Sequence, residues 1–155
     1  MKLMIMDIIV LPNVKAKKRE DVIKILGGLL YERGYVKDTY VDATLTREMK
    51  YPTGLELLGS TNVSLPHADI EHVNEPALAV ARLDKEVEFK KMDNPEESIR
   101  VKLVFMPAIK NPKDYIGILQ KLTFIFKDPE AIERIKNAKP NEVEEYLRKK
   151  LTSRM

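Results

Sequence analysis

Two long apolar runs constrain the fold of this chain more than any other feature of its sequence. The first covers residues 77–83, which are apolar except for Arg82, and is bounded by Pro76 and Asp84. The second covers residues 99–109, where apolar residues first alternate with polar ones and then become continuous. Such runs are typical of strands buried in a sheet, and the initial alternation indicates that one face begins in water. The chain is therefore expected to contain a β-sheet that other elements cover.

Two shorter segments are also predicted to be extended. Residues 7–11, which are apolar after Asp7, are predicted to form a short buried strand that ends at Pro12, because proline disrupts the pairing of a strand. Residues 63–65 form a brief extended piece that Pro66 stops. Residues 51–62 hold two glycines and several small polar residues, so this segment is predicted to be a loop.

Apolar residues at helical spacing predict five helices between and after these strands. Gly34 is a natural C-cap for the first helix, and Asp38 is the expected N-cap of the second. The pair Asn111-Pro112 is a strong start signal for the third. The predicted helices cover residues 19–33, 38–49 and 111–126, and two short helices start at Asp128-Pro129 and Pro140-Asn141.

Strands and helices interleave along the chain, which predicts an α/β or α+β class in which helices cover a sheet. The 155 residues fit one domain with a sizeable core, and neither an internal repeat nor a linker divides them. Hydrophobic residues make up 44% and charged residues 33%, a balance typical of a soluble globular protein. We therefore expect a single domain.

Charge and cysteine content exclude several classes of function. The 27 basic and 24 acidic residues are interspersed and leave a formal charge of +3, too little to indicate nucleic-acid binding. The chain has no cysteine, and so it has no disulfide, no thiolate nucleophile and no cysteine-based zinc site. No apolar stretch approaches the ~20 residues of a membrane span, and Asp7 interrupts the only segment that resembles a signal peptide. The sequence predicts a soluble cytoplasmic protein.

The residues with catalytic potential converge on one loop. The chain has two histidines, His67 and His72, with Asp69 and Glu71 between them. One interpretation is a metal site, although a spacing of five does not place two imidazoles on one helical face as an i, i+4 pair would. A second interpretation is that both are ordinary loop histidines without a chemical role.

The surroundings of His67 favour a third interpretation, a nucleophile that is held in place. Pro66 fixes the backbone immediately before His67, and Ala68 after it adds little bulk. A neutral imidazole is a competent nucleophile toward a phosphoryl group when its other nitrogen is held as N–H by a hydrogen bond. This transfer requires neither a metal nor a cofactor. The preceding loop supplies candidate accessory donors for a phosphoryl dianion: Gly59, Ser60, Thr61 and Asn62.

Several motifs, taken in order, resemble the enzyme IIA component of the bacterial sugar phosphotransferase system. The resemblance extends over nearly the whole chain and is to the fructose/mannitol superfamily, with the galactitol-type branch closest in pattern. The motifs are Arg33-Gly34-Tyr35-Val36, Thr46-Arg47-Glu48, Tyr51-Pro52-Thr53-Gly54-Leu55, Asn62-Val63-Ser64-Leu65-Pro66-His67, Glu71-His72-Val73, Pro76-Ala77-Leu78-Ala79-Val80-Ala81, Val87-Glu88-Phe89 and Asn111-Pro112-Lys113-Asp114.

The resemblance implies an α/β fold with a mixed β-sheet flanked by helices on both faces, in a single domain over residues 1–155. It implies that His67 accepts a phosphoryl group from the phosphocarrier protein HPr and passes it to a cysteine of a separate IIB component during sugar uptake. An arginine just after the second helix lies near the active histidine in this family, and Arg47 matches that position. Its guanidinium would neutralise phosphoryl charge during transfer. The membrane is then involved only indirectly, through a IIC component.

The chain departs from the family pattern at two places. The motif usually reads Ala-Ile-Pro-His-Gly, whereas residues 64–68 read Ser-Leu-Pro-His-Ala. Mannitol- and fructose-type members also carry a second active-site histidine in the segment that here covers residues 111–115, which contains none. That role is either absent or filled by another residue, for which His72 is the candidate nearest in sequence. For Arg47, the alternative role is a solvated charge at a helix end.

Three functions remain open at the level of the sequence. The first is a transport phosphocarrier acting on a IIB cysteine. The second is a regulatory protein of the nitrogen type, in which phosphorylation of His67 controls partner binding. The third is a small-molecule binding module with an inert His67. For the first function we expect an apolar docking rim formed by Leu55, Ile70 and Val73, although each of the three fits the core equally well and Leu55 fits it slightly better.

Overall fold

The computed structural model describes residues 6–152, in which five strands form one sheet between two layers of helices. The strands are β1 (Asp7–Val14), β2 (Gly54–Leu55), β3 (Val63–Ser64), β4 (Ala77–Lys90) and β5 (Ser98–Ala108). The helices are α1 (Arg19–Glu32), α2 (Tyr40–Lys50), α3 (Pro112–Phe126), α4 (Pro129–Asn137) and α5 (Pro140–Thr152), and a 3₁₀ turn covers Ile70–His72.

The sheet is mixed. Its strand order is β1-β4-β5-β3-β2, with β1 parallel to β4, β4 antiparallel to β5, β3 parallel to β5 and β2 antiparallel to β3. The two long apolar runs of the sequence are the neighbouring strands β4 and β5. Each has a partner strand on both sides and helices on both faces, which explains why these runs lack polar positions over much of their length.

The core divides into two clusters because successive strand residues point to opposite faces. On one face, the alanines at 77, 79 and 81 of β4 pack with residues of α1 and with Tyr40 of α2. On the other face, Leu78 and Val80 pack with residues of α3, α4 and α5. The predicted α/β class, with a mixed sheet and helices on both faces, is confirmed. None of the helices within residues 6–152 combines the length and the apolar character needed to cross a lipid bilayer.

The prediction that β1 ends at Pro12 was wrong, since the strand continues to Val14. Its pairing with β4 is irregular between Leu11 and Val14, so Pro12 and Asn13 lie outside the regular ladder. Strand β1 also lies at the edge of the sheet, where one side of the backbone needs no strand partner. A proline is tolerated at such a position because its missing N–H breaks no required pairing.

Two further boundaries differ from the predicted ones. Strand β4 continues past Asp84 to Lys90, because Val87 and the residues after it pair with the beginning of β5. Helix α2 begins at Tyr40 with Thr39 as its N-cap, so Asp38 is not the cap. The helix starts predicted at 111–112, 128–129 and 140 are confirmed, and Gly34 adopts a φ of +83° after α1, as expected of a C-terminal glycine.

The predicted loop of residues 51–62 contains the two-residue strand β2, which the sequence analysis did not identify. Gly54 of this strand lies so close to β4 that an added Cβ would be 2.5 Å from the carbonyl oxygen of Lys90. The Gly54 carbonyl oxygen also accepts a hydrogen bond from the Met92 amide. Only glycine fits this approach. The contact holds the start of the loop against the sheet, beside the strand that leads to His67.

Candidate functional site

His67 lies just beyond the end of β3, where the chain leaves the sheet. Its Nδ1 atom is 2.8 Å from the carbonyl oxygen of Leu65, and its ring is half-buried. A carbonyl oxygen only accepts hydrogen bonds, so Nδ1 carries the proton and the lone pair of the neutral ring resides on Nε2. Pro66, which is buried between the two residues, limits the backbone freedom of this short turn. The arrangement matches the expected nucleophile with one nitrogen held as N–H.

The electrostatic surroundings keep this imidazole neutral. Burial lowers the pKa of His67 below its usual value, and the nearby positive charge of Arg47 lowers it further. The hydrogen bond to Leu65 and the carboxylate of Asp69 act in the opposite direction without reversing the shift. At neutral pH the ring is therefore uncharged and able to act as a nucleophile through Nε2.

Arg47 reaches the same site from the last turn of α2. Its guanidinium is 3.5 Å from the carboxylate of Asp69 and lies 5.7 Å from the centre of the Tyr51 ring. Its side chain is 37% exposed, yet its Nε atom is buried and has no hydrogen-bond partner. Arg47 thus combines a partly desolvated positive charge with an unused donor in the neighbourhood of His67. This placement differs from a fully solvated charge at a helix end.

Tyr115 was not identified from the sequence as a site residue. It lies in the first turn of α3, and its ring meets that of His67 edge to face, with centroids 5.4 Å apart and an angle of 65° between the planes. Its hydroxyl is buried without a hydrogen-bond partner, and burial raises its pKa, so the group stays protonated. A signal was present, because Tyr115 belongs to residues 111–115, where the resemblance led us to expect a second histidine, but its helical spacing is also typical of a core residue.

His72 faces a different set of partners. Its Nδ1 atom is 2.8 Å from the Thr39 hydroxyl at the start of α2, and its Nε2 atom is 3.7 Å from the Glu71 carboxylate. Both ring nitrogens are thus engaged with residues other than His67. The geometry gives no support to His72 as the replacement for a second active-site histidine.

Two of the proposed accessory donors are engaged elsewhere. The Asn62 side chain accepts a hydrogen bond from the Leu57 amide and donates one to the Arg100 carbonyl oxygen. The buried hydroxyl of Thr61 accepts a hydrogen bond from the Lys136 ammonium group. Ser60 is exposed beside these two residues, before β3, whereas His67 follows that strand. The Thr61 and Asn62 side chains thus fix the loop to the rest of the fold, and we assign none of the three residues to the site.

A buried carboxylate lies behind the site. Glu48 follows Arg47 in α2 and is 2% exposed. Its two oxygens accept hydrogen bonds from the Thr53 amide, at 2.9 Å, and from the Thr53 hydroxyl, at 2.8 Å. Burial raises the pKa of Glu48 from 4.5 to about 7, although these two hydrogen bonds and the charges of Arg19 and Arg47 oppose the shift.

This shift predicts a specific pH dependence of stability. The folded-state pKa of Glu48 lies above the unfolded value. The contribution of this side chain to the free energy of unfolding is therefore fully present below pH 4.5, and it is lost as the pH rises through about 7. Relative to Glu48→Gln, which does not titrate, the wild-type protein should lose about 3 kcal/mol of unfolding free energy between these limits. Urea denaturation of both proteins at pH 4.5 and pH 8 measures the difference, with the exposed Glu75→Gln as the matched control. Parallel pH profiles of the wild type and Glu48→Gln would contradict the assignment.

The group of acidic and histidine residues that suggested a metal site separates in the fold. Asp69 pairs with Arg47, and Glu71 lies near His72. Throughout residues 6–152, His, Asp and Glu side chains form no group of three or more that could hold a metal ion.

Comparison with known proteins identifies relatives over almost the whole chain. Residues 3–150 match the family model described as phosphoenolpyruvate-dependent sugar phosphotransferase system, EIIA 2. The galactitol-specific EIIA component of Escherichia coli K12 is 26% identical over 131 residues, which cover 84% of this chain and 86% of that protein.

Two solved structures show the same architecture. The enzyme IIA of the mannitol system of Escherichia coli, solved in complex with phosphorylated enzyme IIB, is 25% identical with a TM-score of 0.70, and the match covers 94% of each chain. The nitrogen regulatory protein IIA of Neisseria meningitidis is 20% identical with a TM-score of 0.66, and the match covers 92% of each chain. At that identity, the second likeness indicates the fold alone.

Proposed function

Because the chain belongs to the EIIA 2 family of the phosphoenolpyruvate-dependent sugar phosphotransferase system, we propose that it carries a phosphoryl group on Nε2 of His67. The observation that carries this proposal is the hydrogen bond between His67 Nδ1 and the Leu65 carbonyl oxygen. It holds the ring in the tautomer whose Nε2 lone pair is available, while burial keeps the ring neutral. The proposal treats residues 1–155 as one domain of this type.

Both transfers conserve atoms and electrons, and in neither does this protein gain or lose a proton. In the first, Nε2 attacks the phosphorus of phosphorylated HPr, and the bond between phosphorus and the HPr nitrogen breaks as the new one forms. In the second, a cysteine thiolate of a IIB component attacks the same phosphorus, and the electron pair of the broken N–P bond returns to Nε2. Nδ1 keeps its proton against Leu65 throughout. Neither step draws on a metal or a cofactor.

Arg47 is proposed to stabilise the phosphoryl group as it moves. The transferring group carries negative charge on its equatorial oxygens, and a preorganised cation in a partly dehydrated site lowers the barrier. The guanidinium has an unpaired, buried Nε donor. Its guanidinium lies 3.5 Å from the carboxylate of Asp69, two residues after His67.

The function is tested by following the phosphoryl group from donor to acceptor. The wild-type protein is incubated with enzyme I, HPr and labelled phosphoenolpyruvate, and a galactitol-type or mannitol-type IIB component is then added. We expect label on this chain that depends on HPr, followed by its passage to IIB. A chain that stays unlabelled would contradict the proposal and favour an inert His67. A labelled chain that passes nothing to either IIB component would favour the regulatory alternative.

The docking rim predicted from the sequence is only partly exposed. Val73 is 3% exposed and lies in the core, which was the alternative placement for this residue. Leu55 packs against the core cluster of α3, α4 and α5, which was the alternative placement for this residue. Ile70, at the start of the 3₁₀ turn, remains partly exposed and directly follows Asp69. It is therefore the member of the rim that a partner can contact.

We predict that Ile70→Asp weakens transfer to IIB while leaving the fold stable. A transient phosphoryl-transfer complex has a small interface, in which one charge on an apolar contact removes a large share of the binding energy. The second-order rate of transfer should fall about tenfold or more, and the urea midpoint should change little. Phe124→Asp is the matched control, because Phe124 is exposed in the last turn of α3, about 13 Å along the helix from Tyr115. Equal losses in the two variants would contradict the placement of the docking face.

A further inference from the structure

A continuous chain of hydrogen bonds connects the buried carboxylate of Glu48 to the imidazole of His67. The Thr53 hydroxyl donates to Glu48 at 2.8 Å, and it accepts a hydrogen bond from the Leu65 amide at 3.1 Å. The carbonyl oxygen of the same Leu65 accepts the Nδ1 proton of His67 at 2.8 Å. These hydrogen bonds therefore link α2, the loop before β2 and the segment after β3.

The direction of each hydrogen bond in this chain is determined by its neighbours. The Leu65 amide can only donate, so the Thr53 hydroxyl must accept there and direct its own proton to Glu48. Above its pKa of about 7, Glu48 is ionised and can only accept, and it takes both the hydroxyl and the amide proton of Thr53. All three residues are buried, so water does not compete for these groups.

Leu65 follows the last residue of β3, and its amide is held by the Thr53 hydroxyl rather than by a neighbouring strand. Its carbonyl precedes Pro66, which restricts the backbone of the residue before it and has no N–H to donate. The direction of the Leu65 carbonyl oxygen therefore follows from the placement of the Leu65 amide. That carbonyl in turn selects the imidazole tautomer and aims Nε2.

We propose that Glu48 and Thr53 are positioning residues for phosphoryl transfer, which hold the Leu65 backbone so that its carbonyl oxygen fixes the tautomer and orientation of His67. This inference rests on the proposed function of His67. Neither residue touches the phosphoryl group; each acts through Leu65. By analogy with the outer-shell partners that orient metal-bound histidines, we expect these residues to contribute a factor of about 10 to the reactivity of His67.

The test compares Thr53→Val with Thr53→Ser. Thr53→Val keeps the shape of the side chain but removes the hydroxyl, whereas Thr53→Ser keeps the hydroxyl. Nitrogen-15 NMR of the unphosphorylated proteins reports the tautomer of His67, and the rate of labelling by phosphorylated HPr reports its reactivity. We expect the Nδ1–H tautomer to dominate in the wild type and Thr53→Ser, and a mixture of tautomers in Thr53→Val with a labelling rate reduced roughly tenfold.

Two more variants separate positioning from general stability. Thr44→Val likewise removes a buried threonine hydroxyl, but this one lies in α2 and donates to the Tyr40 carbonyl oxygen within the helix. It should lower the urea midpoint without altering the His67 tautomer or the labelling rate. Glu48→Gln changes the other end of this series of hydrogen bonds. Because the glutamine amide cannot accept both Thr53 protons, this variant should show the same mixture of His67 tautomers as Thr53→Val.

The outcomes distinguish this inference from the proposed function. If the wild type is labelled but Thr53→Val keeps both the wild-type tautomer and the wild-type rate, the positioning role is refuted and the phosphocarrier role stands. A rate loss in Thr44→Val as large as that in Thr53→Val would also refute it, because stability alone would then explain the effect. If the wild type takes no label, the proposed function fails, while the tautomer measurement still shows whether Thr53 orients His67.

Discussion

Replacement of His67 by alanine should abolish phosphorylation of the protein by enzyme I, HPr and phosphoenolpyruvate. The imidazole supplies the only atom to which we assign the phosphoryl group, and its neighbours Arg47 and Tyr115 offer no nucleophile of comparable strength at neutral pH. The wild type should carry label that is stable in base and labile in acid, as expected of a phosphohistidine. The alanine variant should carry none under the same conditions.

His72→Ala is the matched control for this result. It removes the other histidine of the chain, whose ring contacts Thr39 and Glu71. This variant should retain the label, and both variants should unfold cooperatively in urea. Full labelling of His67→Ala, or loss of label in His72→Ala with an intact fold, would refute the assignment of the phosphorylated residue.

Replacement of Arg47 by methionine should slow phosphoryl transfer by about two to three orders of magnitude. Methionine keeps much of the apolar stem but removes the charge and the Nε donor. Loss of one preorganised group that binds developing charge raises a barrier by roughly 2–4 kcal/mol, which corresponds to this factor. Rapid-quench measurement of label transfer from HPr gives the rate constant directly.

The stability of Arg47→Met should change little, because an ion pair with this exposure contributes at most about 1 kcal/mol. Asp69→Asn is the informative control. It removes the partner of the 3.5 Å contact while the guanidinium stays. If Arg47 acts on the phosphoryl group, Asp69→Asn should retain most of the rate. Equal losses in the two variants would mean that Arg47 matters only through its pair with Asp69.

The elements that could be predicted from the sequence are those with strong local signals. Helix α3 is the clearest case, because the Asn111 side chain accepts hydrogen bonds from the amides of Lys113 and Asp114, as its N-cap position predicts. The strands β4 and β5 could likewise be predicted from their apolar runs, since a strand that is buried on both faces has few polar residues. In both cases the information lies within a few neighbouring residues.

The boundaries that were missed depend on residues far away in the sequence. The extension of β4 to Lys90 follows from its pairing with β5, and residues 84–86 carry no pattern that reveals a strand. Strand β2 has two residues and exists because Gly54 and Leu55 pair with β3. Such pairings are set by tertiary contacts rather than by local propensity.

The candidate site shows the same division. His67 and Arg47 were found through motifs, and the fold brings both near Asp69. Tyr115 was missed because an aromatic residue at helical spacing predicts a core position as readily as a contact with an imidazole. Glu48 was missed because a glutamate in a helix is usually solvated. Its burial depends on Thr53, which supplies hydrogen bonds from the following loop.

The central claim is that Nε2 of His67 carries the phosphoryl group while Nδ1 stays protonated against Leu65. It is tested most directly by nitrogen-15 and phosphorus-31 NMR of the wild-type protein after phosphorylation by HPr. We expect a one-bond coupling between phosphorus and Nε2 of His67, together with a protonated Nδ1 on the same ring. A phosphoryl group on Nδ1 of His67, on His72 or on any other residue would contradict it.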